Sequence, residues 1–208
     1  MKTFLFLILF ISQLALAKEE HKFRPDYWSK GLHLMVGGGI NTSHFYSDDN
    51  YDEIGYGINF KTDLGYYFTN RFAIEWSSNV KFNKVERSLI WDTLMTFGLR
   101  YRIKEYYVRG FLGRAPTVVF FNGDVPPEYE NTKASRVQFT GPVYGLGVGK
   151  MFKNRRGLIW FVEGAGSFQN LQEREGIYMK GEVPVVVKKD SDNSVITSLY
   201  LMAGVLFF

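Results

Sequence analysis

The stretch Gly55-Tyr56-Gly57-Ile58-Asn59-Phe60-Lys61-Thr62-Asp63-Leu64-Gly65-Tyr66-Tyr67-Phe68 decides the fold. Tyr56, Ile58, Phe60, Leu64, Tyr66 and Phe68 alternate with Gly57, Asn59, Lys61, Asp63 and Gly65. Successive side chains of a strand point to opposite faces, so one face here is bulky and apolar while the other is small, polar and charged. No helical period accommodates that pattern.

The same alternation recurs along the chain. Before it, Leu32, Leu34, Val36 and Ile40 face away from His33, Gly37, Gly39 and Asn41. After the tight turn Thr69-Asn70-Arg71, the apolar set Phe72, Ile74, Trp76, Val80 and Phe82 opposes Ala73, Glu75, Ser77, Asn79 and Lys81. A fourth segment sets Trp91, Met95, Phe97, Leu99, Tyr101 and Ile103 against Asp92, Thr96, Gly98, Arg100 and Arg102. In the fifth, Val108 and Leu112 oppose Arg109 and Gly113; in the sixth, Tyr144, Leu146 and Val148 oppose three glycines. Trp160, Val162 and Phe168 then oppose Phe161, Glu163 and Ser167, and Ile196–Phe208 makes an eighth segment.

After the first 17 residues, whose own apolar stretch is short, no apolar run reaches the ~18 needed for a spanning helix. Met1–Ala17 has Lys2, the apolar core Phe4–Ile11 and the small-x-small site Ala15-Leu16-Ala17, the pattern of a cleaved secretory leader. The division expected is therefore a leader at 1–17, a polar lead-in at 18–30 and a barrel at 31–208. The chain has no cysteine, which removes disulfides, thiolate chemistry and lipoprotein processing. A net charge of +4, with both signs mixed throughout, gives no reason to expect a nucleic-acid partner. Aromatics at 17% are the real deviation, and a barrel in lipid uses them as girdles at its two interfaces.

Orientation follows from which face is small. A soluble barrel turns its apolar face inward and its charges outward. Here the charged face is glycine-rich, which suits the narrow interior of an eight-stranded barrel, and the bulky face suits lipid. In hydrocarbon every backbone group needs an internal partner, so the sheet is expected to close. Short connections at 69–71, 104–105 and 153–157 alternate with longer ones at 42–54, 83–88, 122–142 and 170–194, as periplasmic turns alternate with extracellular loops.

Leader, alternating strands, alternating loops and a terminal aromatic together resemble the small eight-stranded outer-membrane β-barrels of the OmpA/OmpX-like group. That resemblance implies an all-β, up-and-down antiparallel meander in the outer membrane of a diderm bacterium. It implies outer-membrane lipids and lipopolysaccharide as surroundings and the barrel-assembly machinery as a partner during insertion. In such families the terminal strand carries the assembly signal, here Tyr200, Met202, Leu206 and Phe208, counted back by twos from the end.

The charged face supplies the candidate site: Lys61, Asp63, Glu75, Lys81, Arg100, Arg102, Arg109 and Glu163. These residues form either a salt-bridged plug that locks register or a thin polar path for ions and small solutes. Tyr67, Phe111 and Phe161, inward by alternation, favour the plug. Neither His33 nor His44 stands in the His-x-Ser spacing of the lipid A deacylases, so a lipid-modifying enzyme is the third reading and no catalytic residue is assigned. The acidic stretches Asp48–Glu53 and Asp190–Asn193 lack the spacing of a calcium loop, so no metal or cofactor is expected. Loops 3 and 4 remain as contact surfaces for an extracellular partner. Ile177–Lys180 and Val185–Lys188 are expected to prolong the last two strands as a hairpin, with Lys84, Arg87, Lys133, Arg136, Lys188 and Lys189 near the outer rim. The leading expectation is a non-enzymatic envelope protein with a structural or surface-interacting role.

Overall fold

The computed structural model describes residues 30–47, 51–85, 88–121, 134–153, 158–171, 173–180, 183–189 and 194–207. The segment expected to be a leader, most of the expected lead-in, the tip of loop 3 and Phe208 lie outside the described residues. The described strands are β1 (Gly31–Ser47), β2 (Tyr51–Tyr67), β3 (Phe72–Val85), β4 (Ser88–Ile103), β5 (Tyr106–Phe121), β6 (Ala134–Lys153), β7 (Ile159–Leu171), β8 (Glu173–Lys180), β9 (Val183–Lys189) and β10 (Ser194–Phe207). Neighbours from β1 to β7 pair antiparallel, and β10 pairs with both β7 and β1, closing an eight-stranded meander. Strands β8 and β9 stand outside that closure. They form a hairpin that continues β7 and β10, with β8 paired to the outer end of β6.

Pairing continues well past the expected boundaries. Strand β1 runs to Ser47 and β2 starts at Tyr51, so much of the first loop is paired backbone, held residue for residue up to Ser47 opposite Tyr51. The third loop narrows likewise, because β6 begins at Ala134 and pairs with the end of β5. A backbone that leaves the membrane still gains by pairing with the neighbour it already has, and polar side chains do not interrupt it.

The turns are short on the opposite side. At Phe68–Phe72 the Thr69 hydroxyl accepts from the backbone N–H of Arg71 at 3.2 Å and of Phe72 at 2.9 Å. The two-residue turn at Lys104-Glu105 places Lys104 at φ 57°, the left-handed conformation such hairpins need.

The register winds around the barrel. A row leaving β1 at Leu34 passes through Leu64, Trp76, Phe97, Leu112, Tyr144, Phe168 and Thr197, and returns to β1 at His44, ten residues further on. With eight strands, that stagger sets a strand tilt of about 40° and a backbone radius of about 8 Å. So narrow a tube leaves little space inside. A side chain at inward-facing Gly39 would fall on the Leu201 carbonyl, and one at Gly145 on the Phe111 ring.

Outward positions form an apolar band. Leu146, Leu112, Ile40 and Phe97 are all more than 60% exposed. Ring pairs edge the band: Phe72 lies 4.7 Å from Tyr101 on the turn side, and Phe82 lies 5.5 Å from Trp91 on the hairpin side. The ammonium of Lys150 sits 5.0 Å over Tyr106 and 5.2 Å over Phe152 at the turn-side edge. Tyr101 and Trp91 are ten residues apart on β4, about 25 Å along the axis at this tilt, the height of the apolar band of a membrane barrel.

Candidate functional site: the barrel interior

Lys61 and Asp63 lie two apart on β2, so both point inward; Glu75, Arg100, Arg109 and Glu163 arrive from β3, β4, β5 and β7. The narrow tube brings all six together. The Lys61 ammonium donates to both Glu163 carboxylate oxygens at 2.9 and 3.1 Å and lies 2.7 Å from Asp63. The Arg109 guanidinium lies 3.1 Å from Glu163 and 3.7 Å from Asp63. Arg100 reaches Glu75 at 3.0 Å and Asp63 at 3.4 Å. Three cations face three carboxylates, none more than 3% exposed. The charge balances within the cluster, as burial requires.

Three partners went unrecognised in the sequence. His33 on β1 meets Glu75 at 2.9 Å, the Tyr107 hydroxyl donates to Glu163 at 2.8 Å, and Arg109 donates to Ser77 at 3.2 Å. Arg100 also contacts the Met35 sulfur. Alternation places His33 and Ser77 on the inward face, but nothing local in sequence says which carboxylate or cation they reach.

The other two of the eight candidate charges, Lys81 and Arg102, lie elsewhere. Lys81 pairs with Asp92 at 3.6 Å and donates to Ser167 at 3.2 Å, nearer the hairpin side. Asp92 accepts from Thr117 at 2.7 Å, and Gln169 donates to Thr117 at 2.8 Å. Asn41 donates to Asn83 in the same polar layer, while Ser43 and Ser198 meet at 2.8 Å. Arg102 is near the turn side, its guanidinium 6.0 Å from the centre of the Tyr67 ring.

Apolar side chains occupy both ends of the interior. Met35, Tyr107, Met151, Ile159, Phe161 and Leu206 pack together on the turn side. On the hairpin side Phe45, Val85, Ile90, Leu171 and Ile196 pack together, with Val119 and Phe139 against them. Phe161 points inward as alternation places it, while Met35, Ile159, Phe45 and Ile196 show that the inward face is bulky and apolar at the two mouths rather than uniformly small and polar.

The terminal strand, whose two faces the sequence does not orient, likewise turns apolar side chains inward. Tyr200, Met202 and Leu206 point into the barrel, 4%, 1% and 3% exposed. Leu199, Leu201 and Phe207 are the exposed outward positions, and Phe208 lies outside the described residues. Both faces of β10 are apolar, so composition could not tell them apart.

Of the histidines, His33 is in the cluster, His44 pairs with Asp52 at the exposed hairpin-side rim, and His21 lies outside the described residues. Among the described residues no group of three His, Asp or Glu side chains is placed to hold a metal ion.

Solved structures share this closed eight-stranded architecture. The attachment invasion locus protein Ail of Yersinia pestis is 17% identical with a TM-score of 0.53, covering 86% of this chain and all of Ail. The fold is that of the small eight-stranded outer-membrane β-barrels. The Ail complex with the heparin analogue sucrose octasulfate is 16% identical with a TM-score of 0.55, at the same coverage. The outer-membrane protein OprG of Pseudomonas aeruginosa is 14% identical with a TM-score of 0.49, covering 86% of this chain and 97% of OprG. No protein-family model and no curated protein matches the chain. In outer-membrane barrels of this architecture the short turns lie on the periplasmic side and the long hairpins on the outer side.

Proposed function

We propose that this outer-membrane barrel is non-enzymatic and non-conducting, and that its role is structural or surface-interacting, carried by what rises above the membrane. One observation carries the reading: the balanced cluster around Lys61, Glu163, Arg109, Asp63, Arg100 and Glu75 fills the tube at a level where every member is buried. An ion entering there must displace a paired charge in a low-dielectric interior, and the apolar groups at each mouth offer it no hydration. The same packing weighs against the alternative of a narrow pore.

Above the membrane, β8 and β9 extend the wall as a paired hairpin supported by β6. Loop 4 is therefore the contact surface assigned to an extracellular partner, together with loop 3. Ail binds a sulfated heparin analogue. A sulfated polysaccharide is accordingly the first partner to try against the hairpin, which ends at Lys188 and Lys189. Delivery uses the cleaved leader, and the terminal strand, with Tyr200, Met202, Leu206 and Phe208, is the segment offered to the assembly machinery.

The test is single-channel recording of the refolded mature chain in a planar bilayer. A verified folded barrel is expected to stay silent. Discrete current steps that change when Glu75 or Arg100 becomes Ala would establish the pore and remove this reading.

A further inference from the structure

The outward face is not evenly filled. On β7 the outward positions 164 and 166 are both glycine, and a side chain added at Gly164 would meet nothing within 4 Å. Leu146 and Val148 of β6 rise on one side, Leu199 and Leu201 of β10 on the other, each more than half exposed. Two strand spacings, about 10 Å, separate those ridges. Less the width of the ridge side chains themselves, that leaves room for a hydrocarbon chain lying between them. Between and beyond the ridges runs an open groove of about 710 Å³ that crosses Ile40 and Thr42 of β1 and ends at Tyr56 of β2.

The groove has a direction. One hydrogen-bonded row links Gly166, Leu199, Thr42, Tyr56 and Lys84 in that order. The stagger raises each step by about 3 Å toward the outer side, so Lys84 stands about 12 Å above Gly166. The apolar floor therefore lies near mid-membrane. Its far end reaches the outer interface at the Tyr56 ring, with the exposed Lys84 directly across from it. That rise is close to the thickness of one leaflet's hydrocarbon, about 15 Å.

We infer that this groove is a fixed lipid site: it holds an acyl chain of a phosphorylated glycolipid of the outer leaflet, lipid A in chemical class, with a phosphate at Lys84. Three features select that occupant. The groove is continuous with the lipid-facing band, so hydrocarbon is what it meets. It opens toward the outer interface, where the glycolipid resides. Its upper end carries a cation and a phenol, the groups that meet an anionic phosphate by charge-assisted hydrogen bonding. A smaller groove over Gly110, across the Leu146–Val148 ridge that the two share, ends instead at Phe72 and Tyr101 on the turn side.

The experiment is native mass spectrometry of the folded full mature chain, titrated with bis-phosphorylated lipid A or with phosphatidylglycerol. Gly164→Leu, which has open space for its side chain, is expected to cut lipid A retention roughly tenfold, about 1.4 kcal/mol. Lys84→Glu is expected to cut it comparably, while Phe97→Leu, at an exposed outward position of β4 outside the groove, leaves it unchanged. Heat-modifiable gel mobility confirms that each variant is folded, and Leu201→Ala, which lowers a ridge without crowding, supplies a second reading on the groove. Retention unaffected by Gly164→Leu, or lost equally with Phe97→Leu, would overturn the site. Equal retention of phosphatidylglycerol would overturn the glycolipid as its occupant.

Discussion

Lys61 on β2 and Glu163 on β7, 102 residues apart in the chain, meet inside the barrel at 2.9 Å. Their strands are not neighbours. The contact spans the tube, so it ties opposite walls together in a way that no backbone ladder does.

Removing one end of that tie leaves charge stranded. Glu163→Ala leaves Lys61 and Arg109 without their shared carboxylate and Tyr107 without its acceptor, and is expected to cost about 3–5 kcal/mol. The matched apolar pair Lys61→Met with Glu163→Leu is expected to recover part of the loss, because it removes the desolvation penalty along with the bridge. Urea midpoints of the folded barrel in lipid check both; a Glu163→Ala barrel as stable as the parent would refute the tie.

The interior closes in layers, and the layers act in series. Replacing Arg100 and Glu75 by Ala should leave planar-bilayer recordings silent, because the clusters around Phe161 and Phe45 still cover the two mouths. Adding Phe161→Ala and Phe45→Ala to the same chain should produce current steps. Conductance from the ionic pair alone would mean that the mouths are not seals.

Depth decides what the outer face tolerates. Leu112, near mid-membrane and 68% exposed, becomes costly as Arg, by about 2–4 kcal/mol, while Leu32→Arg near the periplasmic edge should cost about 0–1 kcal/mol. Unfolding titrations in lipid vesicles give both values, and equal costs would place the band at the wrong height.

The hairpin should be separable from the barrel. Strand β10 is paired with β7 from Ser194 opposite Leu171 downward, so closure begins below β8 and β9. Excising residues 173–189 across a short turn is expected to preserve heat-modifiable mobility and to abolish any partner binding assigned to loop 4. Loss of folding would make the hairpin part of the scaffold.

Closure is also expected to fail at a single methyl group. Gly39 faces the interior against the Leu201 carbonyl, so Gly39→Ala forces β1 and β10 apart at the seam of the barrel. A variant with no compact band on an unboiled gel is the outcome that this close approach requires.

The strict alternation in residues such as Tyr56–Phe68 made faces, strands and the meander legible in sequence, because a period of two leaves no helical alternative. It also placed Lys61, Asp63, Glu75, Arg100, Arg109 and Glu163 inside. What alternation cannot carry is which charge meets which, since Lys61 and Glu163 are joined only by the radius and stagger of the closed tube. It fails too wherever both faces are apolar. In β10 the set Tyr200, Met202 and Leu206 is as bulky as Leu199, Leu201 and Phe207, and at the mouths Met35, Phe45 and Ile159 turn inward to cover the polar middle. Pairing beyond the membrane, as at Ser47 opposite Tyr51, left no signature in polar loop-like sequence.

The ten-residue climb of the pairing row makes the barrel a screw thread closed on itself. No strand can slide by a step while its neighbours hold, because a shift anywhere has to be passed around the whole circumference and arrives back at β1. Such a thread does not fray inward from a loosened turn; it is assembled, and lost, as one piece.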